Sequence, residues 1–470
     1  MCKLISLALV ASAAFAQVPA PRLVTLNVIA TDAQGHRVTD LTAADLQITD
    51  QGKASPIVAF HNEAPAEPAA APLVREFSNR PAPAVSHVQV ILFDVLNLSM
   101  AGRQPAMDQI ARALENLEAS DSLYLYLLNL NGELAPVRGL PDVAPDPRPA
   151  AVPWTKGVRP LLERALGPVA AVQHEIQRDV ARRVQSTYAA LETLAAGMAP
   201  LPGRKNILWM TFGVPCALDT ENGQRWDCRP NLNKVAVKLD EANVAVSPVT
   251  LQSATDPEIR STFQQFVELT GGKLYAGGDI ERAIPDAIEL LRSCYRVQYA
   301  PPANGWDGKP HKIRATSTRK GVNLQSKQSY IAEKSPAPLN QVDRNRTRFT
   351  SPFEAADFAL SVVASPAAQP RTVHLRITLD PKELLLIPQN DRFAAQLSLY
   401  VAAYLPDNKL QTYEPTPVNL NLTAEQVEKM SREGMHLGND VLVAENVRKI
   451  RLLVLDRTAN TAATVTIPVN

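Results

Sequence analysis

Apolar and polar positions along the chain recur with different periods in different regions. From residue 23 to residue 60 they alternate, so that side chains such as Leu26 and Val28 share one face. A period of two is typical of half-buried strands, and turn-forming residues separate the alternating runs. We therefore predict a small N-terminal β unit over residues 17–63.

Between residues 86 and 300 the pattern changes to unbroken apolar runs separated by helical periodicity. The first run, 87–93, ends at Asp94. Runs without polar positions are typical of parallel strands that helices cover on both faces. The alternation of strands and helices predicts an α/β fold with a doubly wound, Rossmann-type sheet, in which 295–299 is the last strand. The other predicted strands of this sheet lie at 123–128, 207–211 and 244–250.

The remainder of the chain returns to β patterns. We predict a β-hairpin extension over residues 301–333, in which 311–318 pairs with 322–326. Residues 351–470 contain alternating or apolar strands at the spacing of a C-terminal β-sandwich. Two proline-bearing segments without periodicity, 64–85 and 334–350, are predicted linkers.

The N-terminus has the pattern of an export signal over residues 1–16. Lys3 precedes an apolar run that ends at Phe15, and the small residues Ala14 and Ala16 flank a cleavage point. We therefore expect an extracytoplasmic protein, periplasmic or secreted. No later apolar run is long enough to span a membrane, so we expect no membrane span in the mature chain.

Composition narrows the function classes. The 470 residues include 48 basic and 47 acidic side chains, and this balance argues against a nucleic-acid partner. Removal of the signal leaves three cysteines, an odd number for an oxidising compartment. We predict a disulfide between Cys216 and Cys228, which bracket a short polar segment, and a buried thiol at Cys294.

Asp94 is the candidate for chemistry, because carboxyl ends of strands in open α/β sheets face the ligand crevice. Asn97 and Ser99 follow in the same loop and carry oxygen atoms of the kind that Mg²⁺ or Ca²⁺ prefers. We predict that these three residues form a ligand-binding loop and a metal site. The alternative is a helix cap, in which the same side chains satisfy backbone amides.

Three motifs follow one another along the chain: the strand end Phe93 to Asn97, the turn and strand Gly203 to Trp209, and the helix end Thr270 to Gly272. In sequence and order they resemble the von Willebrand factor type A (vWA) domain family, in particular the VWFA-related Acidobacterial domain branch. The strand 295–299 and the turn Asp307 to Lys309 extend the resemblance. The N-terminal segment is similar at Asp32, Gly35, Val38, Leu41, Asp45, Leu46, Ile48, Asp50 and Gly52.

This resemblance implies a vWA-like domain over residues 86–300 and a metal-ion-dependent adhesion site that has degenerated. Many members of the family carry an Asp-x-Ser-x-Ser loop, and here Leu96 and Leu98 stand where the two serines would be. Phe212 and Gly213 stand where a further aspartate is expected. Asp94 would therefore be the only charged ligand, and one carboxylate holds Mg²⁺ or Ca²⁺ weakly.

The sequence contains none of the common enzyme motifs that we searched for. The seven histidines are scattered, and neither a His-Glu-x-x-His helix nor a Gly-x-Ser-x-Gly elbow occurs. We predict an exported, non-catalytic protein that binds another extracytoplasmic protein or a surface ligand. The alternatives are an extracytoplasmic hydrolase whose site is assembled from distant residues, and a structural component of the cell envelope.

Overall fold

A computed structural model shows the fold for most of the chain. The predicted signal peptide, residues 1–16, and most of the predicted linker 64–85 lie outside the described residues. The described residues are 23–62, 76–79, 88–117, 123–140, 157–166, 179–199, 201, 203–219, 225–251, 256–291, 294–302, 305–334, 341–350, 354–355, 357–405, 409–459 and 461–469.

Strands outnumber helices in these residues. The strands are β1 (Val24–Thr31), β2 (Leu46–Asp50), β3 (Lys53–Ser55), β4 (Ile57–Asn62), β5 (Glu76–Ser78), β6 (Val88–Asp94), β7 (Leu123–Leu128), β8 (Leu134–Arg138), β9 (Lys205–Thr211), β10 (Ala217–Asp219), β11 (Arg225–Asp227), β12 (Val244–Thr250), β13 (Tyr295–Tyr299), β14 (Pro310–Ser317), β15 (Asn323–Gln325), β16 (Ser329–Ile331), β17 (Ser361–Pro366), β18 (Thr372–Leu379), β19 (Ile387–Gln389), β20 (Arg392–Tyr404), β21 (Leu410–Thr412), β22 (Thr416–Thr423), β23 (Met435–Leu442), β24 (Lys449–Asp456) and β25 (Thr461–Pro468). The α-helices are α1 (Met100–Glu115), α2 (Val158–Leu166), α3 (Val180–Met198), α4 (Arg229–Glu241), α5 (Pro257–Thr270), α6 (Ile280–Leu291), α7 (Gln341–Thr350) and α8 (Ala424–Glu433).

One sheet with helices on both faces positions Asp94. Its strand order is β12-β9-β6-β7-β8, in which β12, β9, β6 and β7 are parallel and β8 is antiparallel. Ile91 and Phe93 of β6 pack with α1 and α6, whereas Val90 and Leu92 pack with α3, α4 and α5. Every residue of β6 is buried because both faces of the strand are covered.

The predicted fold class, α/β with a doubly wound sheet, is wrong for this chain. Five of the six sheets in the described residues are antiparallel throughout. Parallel pairs occur only in the sixth, β12-β9-β6-β7-β8. The physical reason lies in the alternating strands, which have one face on a core and one face that is polar. That pattern favours antiparallel pairing, and it extends over far more of the chain than the unbroken apolar runs.

Strand β13 shows this most clearly. We predicted it as the last strand of the parallel sheet, but it lies between β1 and β4 and is antiparallel to both. The predicted hairpin between 311–318 and 322–326 does not form either, because β14 pairs with β2 and β16 while β15 pairs with β1. Strands from residues 24–62 and 295–331 therefore share one apolar core.

The C-terminal residues form two antiparallel sheets on a common core. Their strand orders are β23-β18-β17-β5 and β19-β20-β24-β25, and β21 and β22 also pair with β20. Side chains such as Ile377, Leu399 and Val454 fill the space between the sheets. Both predicted linkers contribute regular structure, since β5 pairs with β17 and residues 341–350 form α7.

Candidate functional site

The Asp94 carboxylate lies in the interior of the protein and not in an open crevice. Asp94 is 0% exposed. Its Oδ1 accepts the backbone N–H of Asn97 at 3.1 Å. Its Oδ2 accepts the Asn97 Nδ2 at 2.8 Å, the Trp209 Nε1 at 2.9 Å and the Thr211 Oγ1 at 2.8 Å. The expectation that Asp94 faces a ligand is therefore wrong, and the residue has the bonding of a buried structural group.

The strand register explains why these groups meet. Leu92 of β6 lies beside Trp209 of β9 in the parallel pair. Side chains alternate between the two faces of a sheet, so Asp94, Trp209 and Thr211 project to the same side. An indole N–H in a core needs an acceptor, and a carboxylate at the strand end provides one. The indole ring itself packs edge-on against Phe263 and Phe266 of α5.

Asn97 connects this carboxylate to helix α3. Its Nδ2 donates to the Thr187 Oγ1 at 2.9 Å as well as to Asp94, and its Oδ1 accepts the Arg183 Nη1 at 3.1 Å. Thr187 in turn donates to the carbonyl oxygen of Arg183 at 2.8 Å. The opposite amide orientation would direct Oδ1 at the carboxylate and Nδ2 at the guanidinium, so these contacts determine how Asn97 is oriented.

Burial and hydrogen bonding shift the pKa of Asp94 in opposite directions. Burial raises the pKa of Asp94, and the bonds from Asn97, Trp209 and Thr211 partly offset that rise. Burial lowers the pKa of Arg183, while the charges of Asp94 and Asp179 raise it. The four donors on Asp94 match an ionised carboxylate, because that form has only acceptors.

Ser99 has the role of the alternative that the sequence left open, a helix cap, and not that of a ligand. Its Oγ accepts the backbone N–H of Gly102 at 3.2 Å, and it is the N-cap residue of α1. Next to it, the Met100 side chain is 49% exposed. A Cβ on Gly102 would lie 2.7 Å from the Phe212 ring, so the start of α1 packs closely on the loop after β9.

The donor set around Asp94 does not fit a Mg²⁺ or Ca²⁺ ion. These ions take oxygen ligands with free lone pairs, but N–H and O–H groups already occupy the carboxylate. Asn97 presents its Nδ2 to Asp94, and the Ser99 hydroxyl accepts a backbone amide. Among the described residues, no group of three or more His, Cys, Asp or Glu side chains could hold a metal ion.

The predicted disulfide is absent from the structure, in which Cys216 and Cys228 are both buried thiols. The two residues face each other, since the Cys228 N–H donates to the Cys216 carbonyl at 3.0 Å beside the β10–β11 pair. Each Sγ has its own acceptor, Glu258 Oε2 at 2.9 Å for Cys216 and Pro215 O at 3.2 Å for Cys228. Burial raises the pKa of both thiols.

Sequence reasoning missed Trp209, Thr211, Thr187 and Arg183 as parts of this site. A signal for Trp209 was present, since a tryptophan in a fully apolar strand must place its N–H on a polar partner. The other three are distant in sequence: Thr187 and Arg183 lie on α3, and Thr211 lies on β9, 117 residues from Asp94. Only the packing of these elements brings them together.

A small polar cavity lies away from this network. It has a volume of about 10 Å³, and its lining includes Asn27, Asp240, Asn243 and Lys327. That volume accommodates one water molecule and no organic substrate. The Lys327 Nζ contacts the Asp240 Oδ1 at 2.6 Å, so this cavity lies at an ion pair between the segment that joins β15 to β16 and helix α4.

Comparison with known proteins identifies no family. No family model matches the chain, and no curated protein matches it. A solved structure that is similar to this chain is that of the pilus adhesin SpaC from Lactobacillus rhamnosus GG, with 9% sequence identity and a TM-score of 0.29. The similarity covers 88% of this chain and 57% of the adhesin, so the chain spans little more than half of that protein's length. A TM-score this low does not establish a shared fold.

Helices of the described part of the chain include none that combines the length and apolar character needed to cross a bilayer.

Proposed function

We propose that this protein is a non-catalytic binding protein that acts outside the cytoplasm. Its partner is an extracytoplasmic protein or a surface ligand. The binding surface is the end of the parallel sheet around Ser99, Met100, Arg183 and Phe212, which we call the Asp94 edge. The Asp94 carboxylate lies beneath this surface, where its hydrogen bonds with Asn97 fix the loop after β6, and it does not touch the partner.

The observation that carries this proposal is the combination of a rigid polar network with an exposed apolar side chain above it. Four hydrogen bonds fix the Asp94 carboxylate, and Asn97 links it to α3 by a further bond to Thr187. Met100, about half exposed, stands on the first turn of α1 next to the loop that the network orders. An ordered surface with an apolar side chain loses little conformational entropy on binding.

The compartment is part of the proposal. It is supported by the signal-like pattern of residues 1–16 and by a charge balance that does not favour nucleic acid. It does not depend on the predicted disulfide, which the structure lacks.

A hydrolase remains the second candidate because one histidine lies next to a hydroxyl. The Thr378 Oγ1 is 3.0 Å from the His436 Nδ1. Both side chains lie on an exposed face of the β18–β23 pair, and the nearby Asp440 contacts His374, at 2.5 Å, rather than His436. A nucleophile also needs a base that a third group orients, and this pair has no such group among its described hydrogen bonds. The binding function therefore has the better support.

The test is affinity capture with the mature chain from the envelope and culture supernatant of the producing cells. Met100→Glu places a charge on the Asp94 edge, and Leu442→Glu is the matched control, because Leu442 is 60% exposed on a different sheet. Captured proteins are purified and their binding is measured calorimetrically. We expect Met100→Glu to lose at least one partner that the native chain and Leu442→Glu retain.

Two outcomes would contradict the proposal. Capture that is identical for all three chains would place any binding elsewhere, and it would fit a purely structural envelope role. Loss in both variants would indicate that added charge, and not the Asp94 edge, controls capture.

A further inference from the structure

We infer that two copies of this chain associate through strand β23, so that each copy extends the sheet of the other. The surface is the outer side of Met435–Leu442, which we call the β23 edge. It belongs to the sheet β23-β18-β17-β5, whereas the Asp94 edge belongs to the parallel sheet. The inference is therefore independent of the proposed function.

The outer side of β23 is open. The strand lies at the end of its sheet and pairs with β18 along all eight of its residues, without a bulge. In the described residues, no hydrogen bond reaches the backbone groups of β23 that point away from β18. An unpaired strand edge accepts a further strand, because that strand satisfies its N–H and C=O groups.

Four other outermost strands of the described residues are covered or interrupted. The segment around Tyr275 covers β12, and the segment around Asp357 covers β25, each through backbone hydrogen bonds. The edge strands β8 and β22 contain Pro136 and Pro417, which have no N–H to donate to another strand. Strand β23 contains neither proline nor lysine, two residues that commonly protect an edge from pairing.

The sequence of β23 is complementary to itself in the antiparallel orientation. When two copies pair about Gly438, His436 of each copy lies opposite Asp440 of the other. Both side chains are exposed and project from the same face of the sheet, so this register keeps the pleats of the two strands in phase. On the other face, the buried Met435 lies opposite the buried Val441. Two-fold symmetry repeats each contact, so the dimer contains two pairs of His436 with Asp440.

The polar atoms of these two residues are available for the contact. The Thr378 Oγ1 is 3.0 Å from the His436 Nδ1. When this nitrogen accepts the hydroxyl, the hydrogen of the imidazole is on Nε2, which is then a donor for a carboxylate. The Asp440 Oδ1 contacts the His374 Nδ1 at 2.5 Å, and its Oδ2 has no hydrogen-bond partner among the described residues.

Neighbouring registers lack this match. A pair centred on Leu437 places His436 opposite Gly438, and a pair centred on Asn439 places it opposite Leu442. Registers centred between two residues place exposed side chains opposite buried ones. The Gly438 register is therefore the one in which charge and pleat agree. Leu442 lies outside the β23 residues that pair in it, so Leu442→Glu remains a control for the Asp94 edge.

Sedimentation equilibrium of the full mature chain measures the association. The range is about 1–100 µM, because one strand edge is a small interface and binds weakly. We expect an equilibrium of monomer and dimer. His436→Asp places like charges opposite each other in both symmetric contacts and should raise the Kd of the dimer about tenfold or more. Addition of Asp440→Lys to His436→Asp restores opposite charges and should restore most of the association. Thermal unfolding verifies that each variant is folded.

A cross-link tests the register. Gly438 faces its own copy on the two-fold axis, where strand pairing brings the two Cα atoms to about 4.5–5.5 Å, within the range of a disulfide. A Cβ on Gly438 would meet the His374 ring at an ordinary 3.5 Å. Gly438→Cys should therefore form a disulfide-linked dimer under mild oxidation, since the native cysteines of the described residues are buried. Asn419→Cys, at an exposed position of the edge strand β22, is the matched control and should stay monomeric.

Three results would overturn the inference. The first is a chain that stays monomeric over the whole range, which would leave the β23 edge to a strand of a different protein. The second is a dimer that His436→Asp does not weaken, or that the added Asp440→Lys does not restore. The third is cross-linking of Gly438→Cys that is no greater than that of Asn419→Cys. None of these results changes the capture result with Met100→Glu.

Discussion

Trp209 donates its indole Nε1 to the Oδ2 of Asp94 at 2.9 Å, across two neighbouring parallel strands. Both side chains are completely buried. The bond therefore joins a strand-end carboxylate to the aromatic core beneath α5, where Phe263 and Phe266 contact the same indole ring. Because Asp94 also binds Asn97, this bond connects the loop after β6 to the core of the sheet.

Removal of this donor should destabilise the parallel sheet. Trp209→Phe keeps an aromatic ring but leaves the buried carboxylate without one of its four bonds, and it opens space in the core. We expect a loss of about 2–4 kcal/mol in the free energy of unfolding, measured by urea denaturation. Trp226→Phe is the control, because Trp226 is only half-buried and packs at the border of the core; an equal loss there would contradict this role for the Trp209 bond.

Gly272 should not tolerate any side chain. A Cβ at this position would lie 1.8 Å from the carbonyl oxygen of Val246, and a backbone atom cannot move aside cheaply. Gly272→Ala should therefore destabilise the protein by more than about 2 kcal/mol. Gly197 in α3 offers the opposite case, since its Cβ would meet Leu140 at an ordinary 3.6 Å. Gly197→Ala should stabilise the protein by about 0.5–1 kcal/mol. The measurement is urea denaturation, in which the midpoint of Gly272→Ala should lie below that of the native chain and the midpoint of Gly197→Ala above it.

His61 should make stability depend on pH in the acid range. Burial and the charge of its cross-strand neighbour Arg296 lower the pKa of His61 from 6.5 to about 4. Between these two values the unfolded chain binds more protons at this residue than the native chain does. Stability therefore decreases as the pH falls from 6.5 to 4, by about 3 kcal/mol from this residue.

The check on His61 is the difference in unfolding free energy between pH 7 and pH 4.5. His61→Gln should reduce that difference relative to the native chain, because glutamine does not titrate. His36→Gln is the control, since His36 is exposed, with 80% of its side chain accessible. An unchanged difference in His61→Gln would show that His61 does not resist protonation in the folded protein.

The thiols of Cys216 and Cys228 should be found reduced. Each has its own hydrogen-bond acceptor, and burial disfavours the thiolate that disulfide exchange requires. Alkylation of mature protein, denatured without reductant, should label three cysteines. Labelling of one cysteine would instead show the bridge that the spacing of these residues predicts.

The sequence indicated the elements of the parallel sheet because their apolar runs are unbroken. It misplaced β13, although the order Tyr295, Arg296, Val297, Gln298, Tyr299 alternates as an antiparallel strand does. Which sheet a strand joins depends on contacts that are distant in sequence, here with Val28 of β1 and Asn62 of β4. Periodicity alone does not contain that information.

The sequence predicted Asp94 as the candidate site, but it did not show that the carboxylate points into the protein interior. A carboxylate at a strand end looks the same in sequence whether it faces solvent or accepts four internal bonds. Trp209, which donates to Asp94, and Arg183, which donates to Asn97, lie on other elements. Burial is equally hidden from the sequence at Arg204 and Lys205, which are each 3% exposed and donate to the carbonyl oxygens of Gly271 and Leu201.

The central claim is that the Asp94 network is complete without a cation, and thermal unfolding tests it most directly. The mature chain and Asp94→Asn are heated in EDTA, in 10 mM Mg²⁺ and in 10 mM Ca²⁺. A bound ion at about one hundred times its Kd would stabilise the native state by about 2.7 kcal/mol, which raises Tm by several degrees. The account predicts the same Tm for the native chain in all three solutions. A rise in Mg²⁺ or Ca²⁺ that disappears in Asp94→Asn would contradict it.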